Sequence, residues 1–375
     1  MKNKWIYIGA AAAIVIVSAI FITMQQMNKP EKVIDVLDEA IQDDDPEALT
    51  DLIVPDESDA EVSVASVQSL IDYLGKNNNS LQVIKDSLYD QIDKSDFSKT
   101  NQQMSLIQGD KKWGIFPSYK LHVETGAITL GGINDGDEVE LAVEGLEDPI
   151  EQDEDGVYGP ILPGEYELNI TIQNDLGILT DEHETDVWGS DQVSVILDTN
   201  KLVEEDEEIQ KEIMQAVDIF NNDMSAFSTS EFDLEAFTNL SGTLDDDQLM
   251  LTSEFELVRE YIDEIHSQYE GAIVNLDALA INYFDKDWTA EVDAYVSYDE
   301  KIKFSDIDEF EDVSFEAIRS YYLYYDPEDA AWLIQDFLDR EAERSEADEW
   351  EHSQEMLLDD PPVLKWDKDG SGTSI

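Results

Sequence analysis

Residues 5–28 form an uncharged run that begins four residues into the chain. Its core, residues 5–24 (WIYIGAAAAIVIVSAIFITM), is 20 residues long. At about 1.5 Å per residue that makes a helix of about 30 Å, the thickness of a bilayer's hydrocarbon core. A cleaved secretory signal would have a shorter apolar centre and a small-x-small site at its end. Ile22-Thr23-Met24-Gln25 offers no such site, and a chain without cysteine cannot carry a lipoprotein anchor. The run reads as a retained single-pass membrane anchor. Lys2, Lys4 and the terminal amine precede it and Lys29 and Lys32 follow it, so the positive-charge bias toward a cytoplasmic N-terminus is slight. That orientation places the bulk of the chain outside the plasma membrane.

Charge narrows the function classes. Asp plus Glu number 89 against 22 Lys plus Arg, a net of −67 over 375 residues. Arg259, Arg319, Arg340 and Arg344 are the arginines. Nucleic-acid binding needs a basic footprint that this chain lacks. Hydrophobic residues at 42% and aromatics at 9% are too many for disorder throughout. At about 1 M salt the Debye length is about 3 Å, so the self-repulsion of such a surface is largely screened. The composition suits an exported protein of a saline or alkaline habitat.

Beyond the anchor the hydrophobic period organises the chain into regions. Over residues 31–100 it is helical. Val33, Ile34, Leu37 and Ile41 share one face, and Asp45-Pro46 opens a second helix. Val64, Val67, Leu70, Ile71 and Leu74 mark a third helix, ending near Gly75. Residues 77–80 are a turn, with Ser80 capping a fourth helix along Leu81, Ile84, Leu88 and Ile92. A small all-α domain is expected here.

Over residues 105–198 the period is two, as in Tyr119-Lys120-Leu121-His122-Val123 and Tyr166-Glu167-Leu168-Asn169-Ile170. Gly131-Gly132, Asp135-Gly136 and Pro163-Gly164 punctuate the runs, the last expected to set a hairpin corner. One or two small all-β domains follow from this spacing. Residues 204–340 begin with an acidic helix start and a helix along Ile209, Ile213, Val217 and Phe220, and a further helix carries Phe255, Val258, Tyr261, Ile262 and Ile265. Strand patterns then run over 272–284, 288–298 and 315–325, with 330–338 readable as strand or short helix. The expectation is an α+β cone. The acidic tail, 341–375, is expected to be disordered.

The order of these regions carries a resemblance. Ser66-Val67-Gln68-Ser69-Leu70-Ile71-Asp72-Tyr73-Leu74, with the polar turn and helix after it, resembles the second domain of the TcaA family, membrane-anchored envelope proteins of Firmicutes that include the YvbJ type. Lys111-Lys112-Trp113-Gly114-Ile115-Phe116-Pro117 is similar to the entry of that family's paired β-domains, and the stretch from Gly159 to Tyr166 to a strand-turn segment inside them. The last region resembles its NTF2-like domain. Family members usually carry a four-cysteine zinc ribbon ahead of the anchor. Four residues and no cysteine stand there in this sequence, so zinc binding is not implied. The resemblance implies a wall-facing protein linked to envelope stress and to glycopeptide susceptibility.

Residues that could carry chemistry are sparse. His122, His183, His266 and His352 are scattered, with none at metal-ligand spacing. His122 reads as a surface or hydrogen-bonded histidine, and His183 as part of an acidic loop. With nearly one residue in four acidic, carboxylate pairs arise at any spacing by chance. Asp367-Lys368-Asp369-Gly370 starts like a calcium loop, but the sequence given stops short of the bidentate glutamate such a loop needs. Tyr321, Tyr322, Tyr324 and Tyr325 alternate faces on one strand, where one face either lines the cone or packs across strands. No cofactor and no catalytic set is expected. The reading is a noncatalytic, single-pass envelope protein whose outer modules bind cell-wall polymer (peptidoglycan or teichoic acid) or envelope proteins. The alternative is a small-molecule binder or isomerase-like enzyme using the cone.

Overall fold

The computed structural model describes residues 28–112, 116–189, 192–241, 255–358 and 360–370. The expected anchor at 5–24 lies outside them, and among the described residues no helix is long and apolar enough to cross a membrane. The chain divides into two compact units. One comprises the chain up to Ile133 with Glu138–Ile172 and Thr180–Leu197; the other comprises Asn134–Asp137, Gln173–Leu179 and Asp198–Ile375.

The first unit opens with α1 (Glu31–Asp43), α2 (Glu47–Thr50), β1 (Ile53–Pro55), α3 (Val64–Lys76) and α4 (Asn78–Lys94). Ser63 starts α3 with a reciprocal cap, its hydroxyl accepting from the Ser66 amide while Ser66 Oγ accepts from the Ser63 amide. The turn and Ser80 cap expected between α3 and α4 are replaced by one residue. Asn77 ends α3, its Nδ2 donating to the Tyr73 carbonyl at 2.9 Å, and α4 starts at the next position.

Nor do these helices close a core by themselves. Ile34, Leu37, Val67, Leu70, Leu74 and Leu88 share one cluster with Met104 and Leu106 of β2 (Met104–Lys112) and Leu121 and Val123 of β3 (Phe116–Val123). The strands stand in the order β1-β3-β2. The expected all-α domain is therefore a helix layer on a sheet. Short amphipathic helices present more apolar face than they can bury in one another, and the alternating strands supply the second layer.

Six more strands follow: β4 (Gly126–Gly131), β5 (Glu138–Val143), β6 (Val157–Ile161), β7 (Gly164–Asn174), β8 (Gly177–Val187) and β9 (Gln192–Ile196). They form two three-stranded sheets, β6-β4-β9 and β5-β7-β8. Pro163-Gly164 is thus not a hairpin corner but the point where the chain changes sheets. Gly164 is required there by close approach, because a Cβ would sit 2.7 Å from the Ser69 carbonyl carbon on α3.

The second unit is one helix-backed antiparallel sheet. After α5 (Thr199–Glu205), α6 (Glu207–Ser228) begins at Asp206, whose carboxylate accepts from the amides of Glu208 and Ile209. Its apolar stripe, Ile209, Ile213, Val217, Phe220 and Phe227, is buried. The sheet runs β14-β13-β11-β10-β15, from β10 (Ile262–Phe284), β11 (Asp287–Phe304), β13 (Phe315–Asp326), β14 (Ala331–Glu341) and β15 (Ser353–Leu357). β12 (Glu311–Asp312) adds to β11 and β16 (Leu364–Asp367) to β10; a short α7 (Arg344–Ala347) follows β14. Of residues 330–338, all but the turn residue Ala330 accordingly resolve as strand.

Two expectations are overturned here. The helix expected over 255–265 gives way to strand at Ile262. A bulge between Ile262 and Glu264 breaks the alternation and leaves Ile262 and Ile265 three apart yet both buried, a spacing that imitates a helix face. The tail is not disordered over its described part, because β15 and β16 both pair with β10. Trp366 explains the second pairing: it buries against Phe255, Ile262 and Ile265, so an acidic segment is held by one aromatic anchor.

Candidate functional site

The second unit contains a cavity of about 180 Å³ between α6, the segment after it, and the strands β13 and β14. Phe220, Met224, Phe237, Leu240, Phe315 and Phe337 form much of its apolar wall, and Arg319 and Asp339 supply its polar part. The rings of Phe220 and Phe237 stack at 5.2 Å between centroids, and Phe220 and Phe337 lie 5.1 Å apart.

Below this wall lies a buried polar network. Arg319 is 1% exposed. Its Nε and Nη2 donate to the two carboxylate oxygens of Asp339 at 2.6 and 2.7 Å. Nη1 donates to Asn221 Oδ1 at 3.0 Å, and the guanidinium lies 4.8 Å from the Phe337 ring centroid. Asn221, fully buried on α6, also accepts from the hydroxyls of Tyr298 and Tyr321, each at 2.9 Å, while its Nδ2 donates to the Val217 carbonyl. Burial pushes both tyrosine pKa values far up, so both hydroxyls stay protonated donors. Each guanidinium nitrogen of Arg319 donates to a protein partner, so the network orders the cavity floor rather than offering a free charge.

Two further acids, Asp218 on α6 and Glu300 on β11, do not line the cavity. Burial raises the pKa of Glu300, which accepts from Ser267 Oγ at 2.7 Å. Burial likewise raises that of Asp218, partly offset by the neighbouring Tyr269 hydroxyl. No group of three or more metal-ligating side chains is assembled among the described residues.

The four tyrosines singled out in the sequence divide by parity along β13. Tyr321 and Tyr325 are buried, Tyr321 edge-on to Phe220 at 5.9 Å and Tyr325 against Trp332 at 5.3 Å. Tyr322 and Tyr324 are half-buried on the opposite face. None of the four lines the cavity; Tyr321 supports it from behind, packed edge-on to Phe220 and hydrogen-bonded to Asn221. Reasoning from sequence missed Arg319, Asn221 and the phenylalanines. The available signal was Arg319 itself, an arginine at an inward strand position in a chain with few cations.

His122 is neither at the surface nor hydrogen-bonded. It is 2% exposed on β3, both ring nitrogens lack a partner, and its cross-strand neighbour Ser105 has an unpartnered buried hydroxyl as well. His183 is exposed, on β8 rather than in a loop.

A family model of the YvbJ NTF2-like domain matches residues 213–338, which hold most of α6 and every cavity-lining residue named above except Asp339. A model of the TcaA protein second domain matches residues 30–123, the helix layer and its sheet. No curated protein matches the chain. The two matches, in this order and with strands β4–β9 between them, support a TcaA/YvbJ-like family, one that fits cell-envelope proteins.

Proposed function

We propose that this is a noncatalytic, single-pass protein of the plasma membrane, anchored through residues 5–24 with a cytoplasmic N-terminus. Its modules project outward to bind cell-wall polymer or envelope proteins, in a role tied to envelope stress and glycopeptide susceptibility. The observation that carries the reading is the pairing of a TcaA second domain with a YvbJ NTF2-like domain on one chain. Its mechanism is display: the anchor holds binding surfaces close to the membrane. A net charge of −67 repels polyanionic teichoic acid, which favours peptidoglycan or a protein partner among the candidate ligands.

The isomerase-like alternative needs an acid or base in the cavity. Asp218 and Glu300, whose pKa values burial raises, stand outside it, and the Asp339 carboxylate inside it is occupied by Arg319. An NTF2-like fold by itself says nothing about catalysis.

Retention of the full chain on purified cell walls in molar salt, with and without teichoic acid, tests the proposal, together with protease accessibility in intact cells. Salt-resistant retention and external cleavage are expected. A chain protected in intact cells that binds neither walls nor an envelope protein sinks the reading.

A further inference from the structure

The cavity does not stand alone. A larger cleft, about 700 Å³, adjoins it and shares Phe315 and Asp339 with it. Glu316, Glu341, Glu343 and Glu346 line that cleft beside Ser314 and Ser345. Asp339 is neutralised by Arg319, and Glu346 by Arg340 at 2.8 Å. Glu316, Glu341 and Glu343 have no cationic partner among the described residues. An apolar hole therefore opens beside three uncompensated carboxylates.

Size decides what the hole can take. Cavities that hold whole small-molecule ligands run from about 300 to 1,000 Å³. An apolar cavity of about 150 Å³ takes a benzene ring. At about 180 Å³ this one fits a single phenyl-sized group and not an extended ligand. The group entering it has to be uncharged, because the polar atoms of the floor are already paired. Whatever continues from that group runs into the acidic cleft and is stabilised there by positive charge.

We propose that the cavity and cleft together bind a short basic segment of a partner protein, one aromatic side chain seated among Phe220, Phe237, Phe315 and Phe337 and flanking lysines or arginines on Glu316, Glu341 and Glu343. The inference deepens the proposed function, because a protein partner is one of the ligands it allows. Peptide binding and wall retention are separate measurements, so either can fail alone.

The competing explanation is diffuse attraction of any polycation to a strongly acidic chain. The test separates the two. The full chain is titrated with a short amidated peptide carrying one phenylalanine between lysines, with a second peptide in which alanine replaces the phenylalanine, and with a third in which glutamines replace the lysines. The alanine peptide is expected to bind about ten- to a hundredfold more weakly, the value of burying one such ring. Glu341→Gln with Glu343→Gln, both at exposed positions, is expected to weaken the lysine peptide and leave the glutamine peptide unchanged. Met224→Trp, which fills the cavity, is expected to abolish the preference for phenylalanine over alanine while the thermal midpoint holds. Equal binding of the phenylalanine and alanine peptides overturns the proposal, as does unchanged lysine-peptide affinity in the glutamate double variant.

Discussion

Arg319 on β13 and Asp339 on β14 are cross-strand partners joined by two parallel hydrogen bonds, and only the carboxylate side of the pair reaches solvent. The arginine's other contacts, Asn221 and the Phe337 ring, lie inward. Breaking such a pair from one side leaves the buried guanidinium with too few acceptors, at a cost of about 3–5 kcal/mol when the site is sealed. Asp339 is partly exposed, so water can enter, and Asp339→Ala is expected at the lower end of that range. Arg319→Met with Asp339→Leu removes both charges and is expected to recover part of the loss. Urea unfolding of the three proteins checks this; a double variant worse than Asp339→Ala contradicts it.

A histidine buried without partners makes the first unit sensitive to acid. Burial pushes the His122 pKa down, Lys99 adds to the effect and Asp56 opposes it. The folded value therefore lies below the unfolded one, about 6.5, and the unfolded chain binds the extra proton. Stability is full above that unfolded value and falls as pH drops below it. His352 behaves oppositely. Its hydrogen bond and ion pair with Asp277 raise its pKa, so its contribution is present below the unfolded value and is lost as pH rises through the folded one. His122→Leu is expected to flatten the acid limb of the first unit's melting curve and leave the His352 effect in place. Thermal midpoints recorded across that range decide it, and an unchanged acid limb contradicts the assignment to His122.

Much of the architecture was legible because local pattern and burial agree. The helical period through Val67, Leu70, Ile71 and Leu74 and the two-residue period through Tyr166, Leu168 and Ile170 both correspond to buried positions. Legibility failed where one residue changes the local rule. The bulge after Ile262 made a strand look helical. Trp366 recruits an acidic segment that composition marks as solvent-loving. The cavity was illegible for a different reason: its wall combines Phe220 on α6, Phe237 beyond it and Phe315 and Phe337 on two strands, and no local spacing records that meeting.

Trp366 gives the tail its own test. It is 7% exposed, packs edge-on to Phe255 at 5.5 Å and donates from Nε1 to Glu231. Trp366→Ala is expected to cost about 3–5 kcal/mol, the usual loss for a buried tryptophan. It is also expected to release β16, so that the amides of residues 364–367 exchange with solvent while those of β13 stay protected. Protection of β16 that survives the substitution shows that backbone pairing alone holds the tail.

Two glycines at α3, one packed against it and one within it, separate close approach from mere flexibility. Gly164 starts β7 against α3, where a methyl group would meet the Ser69 carbonyl carbon at 2.7 Å, Ser69 Cβ at 2.8 Å and the Leu70 amide nitrogen at 2.9 Å. Two of those three atoms are helix backbone and cannot swing aside, so Gly164→Ala has to push strand from helix, at about 1–3 kcal/mol. Gly75 lies inside α3 itself, and its nearest neighbour would be Ile41 Cγ2 at 4.0 Å, an ordinary contact. Gly75→Ala is expected to stabilise the unit by about 0.5–1 kcal/mol, because alanine gives up less backbone freedom on entering a helix. Chemical denaturation of the two single variants measures both signs at once. A neutral Gly164→Ala would mean that β7 and α3 are not held at the separation that fixes where the chain changes sheets.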